Sequence, residues 1–364
     1  MQRRTFLQAG SAAALLAALP RASFAEYLPF EPRPGPWRSF EITTRVEVLT
    51  PDGITRVWVP VPSVDGEYQK VGENSWSGNG AARLERDGKY GAGMVAAEWS
   101  AGERAPVLQV VSTFSTRNRA VDFGKTDPAL RLDAPTIAFN TSASDLIPVD
   151  GIVRDTARDI VKGKVGDLEK ARALYEWVVE NTFRDPKTRG CGIGDIRVLL
   201  ETNNLGGKCA DLNALYVGLA RSVGLPARDV YGIRVVKSEF GYRSLGAGSP
   251  NVTRAQHCRA EVFLTGFGWV PVDPADVRKV VLEEKAQPTT LADPVVPPVR
   301  AKLFGAWEQN WLAYNEAHDV RLPGSSGAPV AFLMYPQAET GGNRLDPLDP
   351  DNFKYTITAR ELKA

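Results

Sequence analysis

Near residue 150 the spacing of apolar residues changes, and that change limits the fold more than any other feature of the chain. Before it, buried-type and polar residues alternate through Ile42, Thr44, Val46 and Val48, turn at Pro51-Asp52-Gly53, and alternate again over TRVWVPV at 55–61. A period of two places one face of each strand in a core, and a turn between two such runs makes a hairpin. Short runs at 84–86, 94–99 and 108–114 continue the pattern between Gly-rich turns, so residues 38–117 read as a small antiparallel sandwich. After residue 150 the period becomes about 3.6, the helical value. Ile152, Ala157, Ile160 and Val161 fit one short helix. Asp167 is placed to cap a second, with Leu168, Ala171, Leu174, Tyr175 and Val178 on its buried side. A third spans Cys209 to Val223 and stops at Gly224, with Pro226 beyond it. Strands return at 228–236, 259–264 and 269–272. Helices followed by antiparallel strands define an α+β domain.

The length, 364 residues, agrees with two or three domains. The expected organisation is a β-rich unit over 26–140, an α+β core over 141–285, and a C-terminal segment over 286–364. In that last segment the Pro-rich stretch QPTTLADPVVPPV reads as a tether or a wrapping segment. An aromatic helix at 304–316 and a strand at 354–358 are expected to pack back on the core. Residues 1–25 have the layout of an export signal: Arg3-Arg4 ahead of Phe6-Leu7, an apolar run from Ala9 to Leu19, and small residues at Ser23-Phe24-Ala25. The paired arginines are those of the twin-arginine type, which implies a periplasmic location. Beyond residue 25 no apolar run approaches the ~20 residues that span a bilayer, so no stable membrane insertion is expected.

Charge and residue counts exclude several classes of function. Lys and Arg total 44 against 43 Asp and Glu, a net charge of +1, which argues against a nucleic-acid partner. The chain has two histidines, His257 and His318, and three cysteines, Cys191, Cys209 and Cys258. No closely spaced set of zinc ligands can be built from these. There is no Walker loop, no GxGxxG and no acidic calcium loop, so neither a cofactor nor a metal is expected.

What remains is thiol chemistry. In Gly206-Gly207-Lys208-Cys209-Ala210-Asp211 the cysteine opens the third helix, and the glycines allow the backbone close to a ligand. The positive end of the helix dipole lowers the pKa of a thiol at that position, although a packed structural cysteine would occupy the same place. Asp211 can stabilise the first helical turn. His257 begins a strand, and Asp273 ends the returning one. A nucleophilic thiol needs an imidazole, and the imidazole needs a carboxylate to hold its tautomer. A three-residue loop at 264–266 sets His257 opposite Asp273, whereas a two-residue turn at 266–267 sets it opposite Asp276. The second donor for an oxyanion, beside the Cys209 N–H, has candidates in Asn203 and Asn204. Cys191 and Cys258 could form a disulfide or remain packed thiols, and Cys258 should face away from a site that His257 faces. His318 closes the expected aromatic helix and has no chemical role.

Two blocks, GGKCADLNALYVGLARSVGLPARDVYGIRV and QHCRAEVFLTGFGWVPVDPADV, closely resemble the papain-related transglutaminase-like core, over roughly residues 145–280. The family pattern is Gly-x-Cys-x-Asp at a helix start, Gly-Leu-Pro-Ala-Arg after it, His-x-x-x-Glu on a strand (Glu261 here) and Gly-Trp-Val-Pro-Val-Asp-Pro. The resemblance implies helices packed on an antiparallel sheet, preceded here by the small sandwich, with Cys209 as nucleophile, His257 as general base and acid, and Asp273 as the orienting carboxylate. Many members carry an aromatic residue two positions after the histidine, and this chain has Arg259. The implied activity is an exported thiol enzyme that cleaves a peptide or protein amide, a cell-wall peptide being one such substrate, through an acyl-cysteine. Transfer of the acyl group to an amine, as in a strict transglutaminase, uses the same three residues, and a binding protein on the same fold would need none of them.

Overall fold

The computed structural model describes residues 27–363, and the expected export signal lies outside them. Six strands come first: β1 (Arg38–Val48), β2 (Thr55–Pro60), β3 (Gln69–Gly78), β4 (Ala81–Arg86), β5 (Gly93–Trp99) and β6 (Val107–Thr116). The helices that carry the core are α1 (Gly151–Ile160), α2 (Gly166–Asn181) and α3 (Cys209–Ser222). They are followed by β7 (Ala227–Arg234), β8 (Gln256–Leu264), β9 (Gly268–Val272) and α4 (Pro274–Glu283). The chain ends with β10 (Trp311–Asn315), β11 (Gln337–Thr340), β12 (Asn343–Arg344) and β13 (Phe353–Leu362), and shorter pieces fill the connections.

The alternation in β1 does what it implies: Ile42, Thr44, Val46 and Val48 are buried. Two antiparallel sheets, β13-β1-β6-β3 and β12-β11-β2-β5-β4, face each other across Val46, Val57, Val59, Val95, Leu108 and Phe353. Residues 38–117 do not close this sandwich alone. β13 pairs with β1 along its whole length, from Ser39 opposite Leu362 to Val48 opposite Phe353. On its inner side Ile357 and Ala359 join a cluster with Phe40, Ile42 and Phe114 of the sandwich and Ile233, Leu312 and Tyr314 of the second sheet. The terminal strand thus holds the two sheets together.

The second sheet has the order β9-β8-β7-β10. α3 lies on it and is buried on every side, because α1, α2 and α4 cover its outer face. α2 begins one residue before Asp167, with Val165 as its cap. Asp167 therefore sits inside the first turn, where its charge meets the helix dipole. Residues 304–316 are not a helix. Gly305 has φ +119, outside the helical region, and Trp311–Asn315 is β10, a strand buried on both faces and paired with β7. A short run that is apolar throughout carries no period to tell helix from strand.

The hairpin register differs from both sequence expectations. Leu264 pairs with Gly268 and Ala260 with Val272, around a Thr265-Gly266-Phe267 loop in which Gly266 has φ +87. Neither Asp273 nor Asp276 is cross-strand from His257. Asp273 lies past the ladder as the N-cap of α4, where its side chain accepts the Asp276 N–H at 3.1 Å and Pro274 opens the helix. Among the described residues no helix is long and apolar enough to cross a membrane.

Ile357 is 1% exposed at the meeting point of the two sheets. Ile357→Ala is expected to cost about 2–5 kcal/mol, the range for a deleted core side chain, read as a lower urea midpoint with an unchanged slope.

Candidate functional site

Cys209 is the first residue of α3, and Asp211 builds its surroundings. The Asp211 carboxylate accepts N–H groups from Lys208 (2.9 Å), Ile193 (3.0 Å) and Gly194 (2.9 Å). It thereby ties the start of the helix to the loop that carries Cys191. The Ala210 N–H adds a bond to the Cys191 carbonyl at 2.9 Å. The glycines make room for this knot instead of for a ligand. A Cβ at Gly192 or Gly207 would collide with the Asp211 side chain, and one at Gly206 with the Phe183 ring.

His257, the second residue of β8, bonds through Nε2 to Asp273 Oδ2 at 2.7 Å. That leaves Nδ1 as the nitrogen for the thiol of Cys209, whose pKa the ring helps to lower. The ring's backbone is held as well, since Trp311 Nε1 donates to the His257 carbonyl at 2.8 Å. Asn213, one turn along α3 from Cys209, reaches Asp273 Oδ1 at 3.3 Å and donates to the Cys258 carbonyl at 2.7 Å. Asp276 stands 3.4 Å from His257 Nε2 and is paired with Arg234 at 2.5 Å. Arg259, the departure from the family pattern, does not line the cleft. Its guanidinium lies over Trp311, 4.6 Å from the ring centre, with Nε 3.7 Å from Asp273. The structure therefore brings Cys209, His257 and Asp273 together, none more than 3% exposed.

The electrostatics favour a thiolate facing an imidazolium. Hydrogen bonds from the thiols of Cys191 and Cys258, together with His257, hold the Cys209 thiol well below its ordinary pKa against the opposing effect of burial. Its bond to Cys209, together with burial, pushes Cys191 up; burial first, and then Cys209, does the same to Cys258. Those two stay protonated, and the Cys191 thiol donates to the Gln256 carbonyl at 3.4 Å. Burial disfavours the charged form of His257, but the carboxylates of Asp276 and Asp273 outweigh it and raise the ring's pKa. Burial and the neighbouring Asp276 raise Asp273. Asp276 is held below the usual carboxylate range because Arg234 overcomes the cost of its burial.

The three cysteines are free. Cys191 lines the cleft with Cys209, while Cys258 does not line it and packs behind, in one buried cluster with the other two. A cation has no place among His257, Asp273 and Asp276, although one atom of each lies within 4.8 Å of the others. Arg234 and Arg259 already supply those carboxylates with the positive charge that a metal would bring.

Cys209 and His257 open onto a cleft of about 800 Å³ that Cys191, Gln256 and Tyr335 also line. The Gln256 side-chain nitrogen is buried there without a partner among the described residues. Asn203 and Asn204 are exposed in a turn, outside the cleft. His318 is buried elsewhere, 3.2 Å from the Tyr231 hydroxyl. Glu261 pairs with Arg228 and Arg119 beside a second cleft of about 740 Å³, which holds no thiol.

Sequence reasoning missed Asn213, Arg234 and Gln256, and offered Asp276 only as an alternative cross-strand partner of His257. The first had a signal, a polar side chain one helical turn from Cys209 on a face that must be buried. Asp276 had a weaker one, three residues beyond an N-cap.

The family profile described as "Transglutaminase-like superfamily" matches residues 154–274. A protein of Haemophilus influenzae (strain ATCC 51907 / DSM 11121 / KW20 / Rd), named only as uncharacterized, is 37% identical over 342 residues, spanning 89% of this chain and 91% of its own length. The chain belongs to the transglutaminase-like superfamily. Among solved structures, a candidate cysteine protease from Cytophaga hutchinsonii is similar in fold, with a TM-score of 0.51 at 15% identity over 90% of this chain and 99% of that one. The periplasmic domain of TgpA from Pseudomonas aeruginosa aligns with a TM-score of 0.33 at 15% identity, over 65% of this chain and 92% of that one. The matched residues carry most of α1 and all of α2, α3, β7, β8 and β9, and stop as α4 begins; within them Arg259 stands beside the acid.

Three free thiols are expected when the unreduced protein is unfolded and alkylated under mass spectrometry. A mass short by one pair of alkyl groups would mean that Cys191 or Cys258 is oxidised.

Proposed function

We propose that this protein is an exported cysteine-dependent hydrolase of peptide or protein amides, working through an acyl-cysteine intermediate in the periplasm. The observation that carries the reading is the placing of His257: Nε2 is tied to Asp273, which leaves Nδ1 free, and the ring shares the wall of an open cleft with a thiol of lowered pKa. The Cys209 thiolate attacks the carbonyl carbon, and the oxyanion is received by the Cys209 N–H at the helix start. Gln256 supplies the second donor, its unpartnered amide being next to His257 in the same cleft. The imidazolium gives its proton to the leaving amine. His257, now neutral, takes a proton from water as that water attacks the thioester, and the acid is released with the thiol restored. Asp273 keeps the ring in one tautomer through both steps. The fold likeness to the Cytophaga protein agrees with hydrolysis, and an open, polar-walled cleft admits water as the second nucleophile.

The test is a peptide p-nitrophenyl ester, with the acyl-enzyme followed by intact mass. A transient adduct on the Cys209 peptide, absent in Cys209→Ala and discharged by water at a rate that added glycine ethyl ester does not raise, supports the reading. Discharge mainly to the amine would make the protein a transferase, and an unlabelled Cys209 would remove the enzyme reading. Gln256→Ala is expected to lower turnover by about 10²-fold with little change in KM, as for loss of one oxyanion donor.

The pH dependence has a definite sign. Because Cys209 is lowered and His257 raised, the midpoint for iodoacetamide labelling of Cys209 should lie well below the ~8.5 of a free thiol. It should climb towards that value in His257→Ala.

A further inference from the structure

The cleft in front of Cys209 sorts charge in a way the composition does not. The whole chain is balanced to +1, yet the residues around this cleft include seven Arg or Lys and neither Asp nor Glu. The cations come from separate parts of the chain. Arg184 pairs with Gly207 in a short parallel bridge beside the helix start, Lys208 caps that helix, Lys279 projects from α4, and Arg254 lies three residues before His257. Their partners are too few. Arg184 and Lys279 share one carboxylate, Glu283. Lys208 and Arg254 have no carboxylate within 4 Å among the described residues, to judge from the ion pairs formed. The acids that do pair with the lining cations, such as Asp346 with Arg189 and Glu47 with Lys354, do not line the cleft. Lys279 is buried enough, and close enough to Arg234, that its pKa is pushed down to about 8. An anion bound beside it would raise that pKa again.

Resting on the thiol-hydrolase reading above, we infer that the acyl-donor substrate is an anionic peptide, with at least one carboxylate beside the scissile amide held by Lys208, Arg184 and Lys279, and a second contact at Arg254. A low-dielectric concave wall of one sign focuses its field on the opening and raises the local concentration of oppositely charged ligand. The same wall repels a basic peptide, so selectivity comes from rejection as well as attraction. The carboxylate has two chemical sources, an acidic side chain or a free C-terminus, and both present the same group to the same cations.

Two measurements test this. The first compares alkylation of Cys209 by iodoacetate and by iodoacetamide, read on the Cys209 peptide and expressed relative to the same ratio for N-acetylcysteine. One favourable charge contact at about 4 Å is worth about fivefold in water. A ratio raised about fivefold or more at low salt is expected. It should fall as salt screens the cleft and drop towards unity in the Lys208→Gln/Arg254→Gln double variant. A ratio at or below unity overturns the inference.

The second uses full-length Cys209→Ser protein, which binds without turnover, and fluorescein-labelled peptides of one scaffold. One is Glu-containing with an amidated end, one Gln-containing with a free carboxylate, and one Gln-containing and amidated. The first two, or one of them, should bind at least tenfold more tightly than the third, and which one does so identifies the source of the carboxylate. Equal binding of all three overturns the inference. So does competition by single-stranded oligothymidylate stronger than by the acidic peptide, which would assign the cations to nucleic acid. Failure of the hydrolase reading is distinct from these outcomes: peptides would still sort by charge in the binding assay while no acyl adduct formed on Cys209.

Discussion

The structure is organised around one buried imidazole between two carboxylates. His257, Asp273 and Asp276 are withdrawn from water, and so are Arg234 and Arg259. An isolated buried ion costs far more than a folded domain can absorb. Here two guanidiniums neutralise two carboxylates, so an imidazolium and a thiolate can form across the remaining gap without leaving a net charge in the interior. Each member comes from a different element. β7 supplies Arg234, β8 supplies His257 and Arg259, the start of α4 supplies both acids, and α3 supplies Cys209 and Asn213. Moving any of these elements by a fraction of an ångström would leave a charge unpaired, which is a strong reason for the sheet and the helices to meet only one way.

A similar economy holds at the helix start. One carboxylate, Asp211, collects three backbone N–H groups from two segments, and three glycines keep the space around it and its strand clear. The Cys191 loop is bound there, which brings a second thiol to the side of the first. Cys209 consequently sits in one buried cluster with two thiols whose own pKa is pushed up, so they stay protonated beside it.

Much of this was legible in the residues. Helices α1 and α3, the hairpin of β8 and β9, and the early strands all showed in periodicity and in turn residues. Cys209, His257 and Asp273 stood out because the chain has so few residues capable of thiol chemistry, and the resemblance to the superfamily pattern singled out the same three. What was not legible depended on partners distant in sequence. The hairpin slipped because Gly266 and Gly268 both accept positive φ, so glycine placement alone allowed several loops. Residues 304–316 misled because Trp311, Leu312, Ala313 and Tyr314 are all buried, and a strand covered on both faces has no alternation. The roles of Arg234 and Gln256 arise only when β7 and the start of β8 are folded against α4 and the Cys191 loop.

The pairing of β13 with β1 has a consequence for biosynthesis. β1 precedes every residue of the thiol site, and β13, the strand that covers its open edge, follows them all. Until β13 is made, a ten-residue edge with a half-apolar face stays unsatisfied, the kind of edge that pairs with other chains. Long-range pairing of this sort also slows folding. The sandwich therefore closes only after every residue of the thiol site has been made.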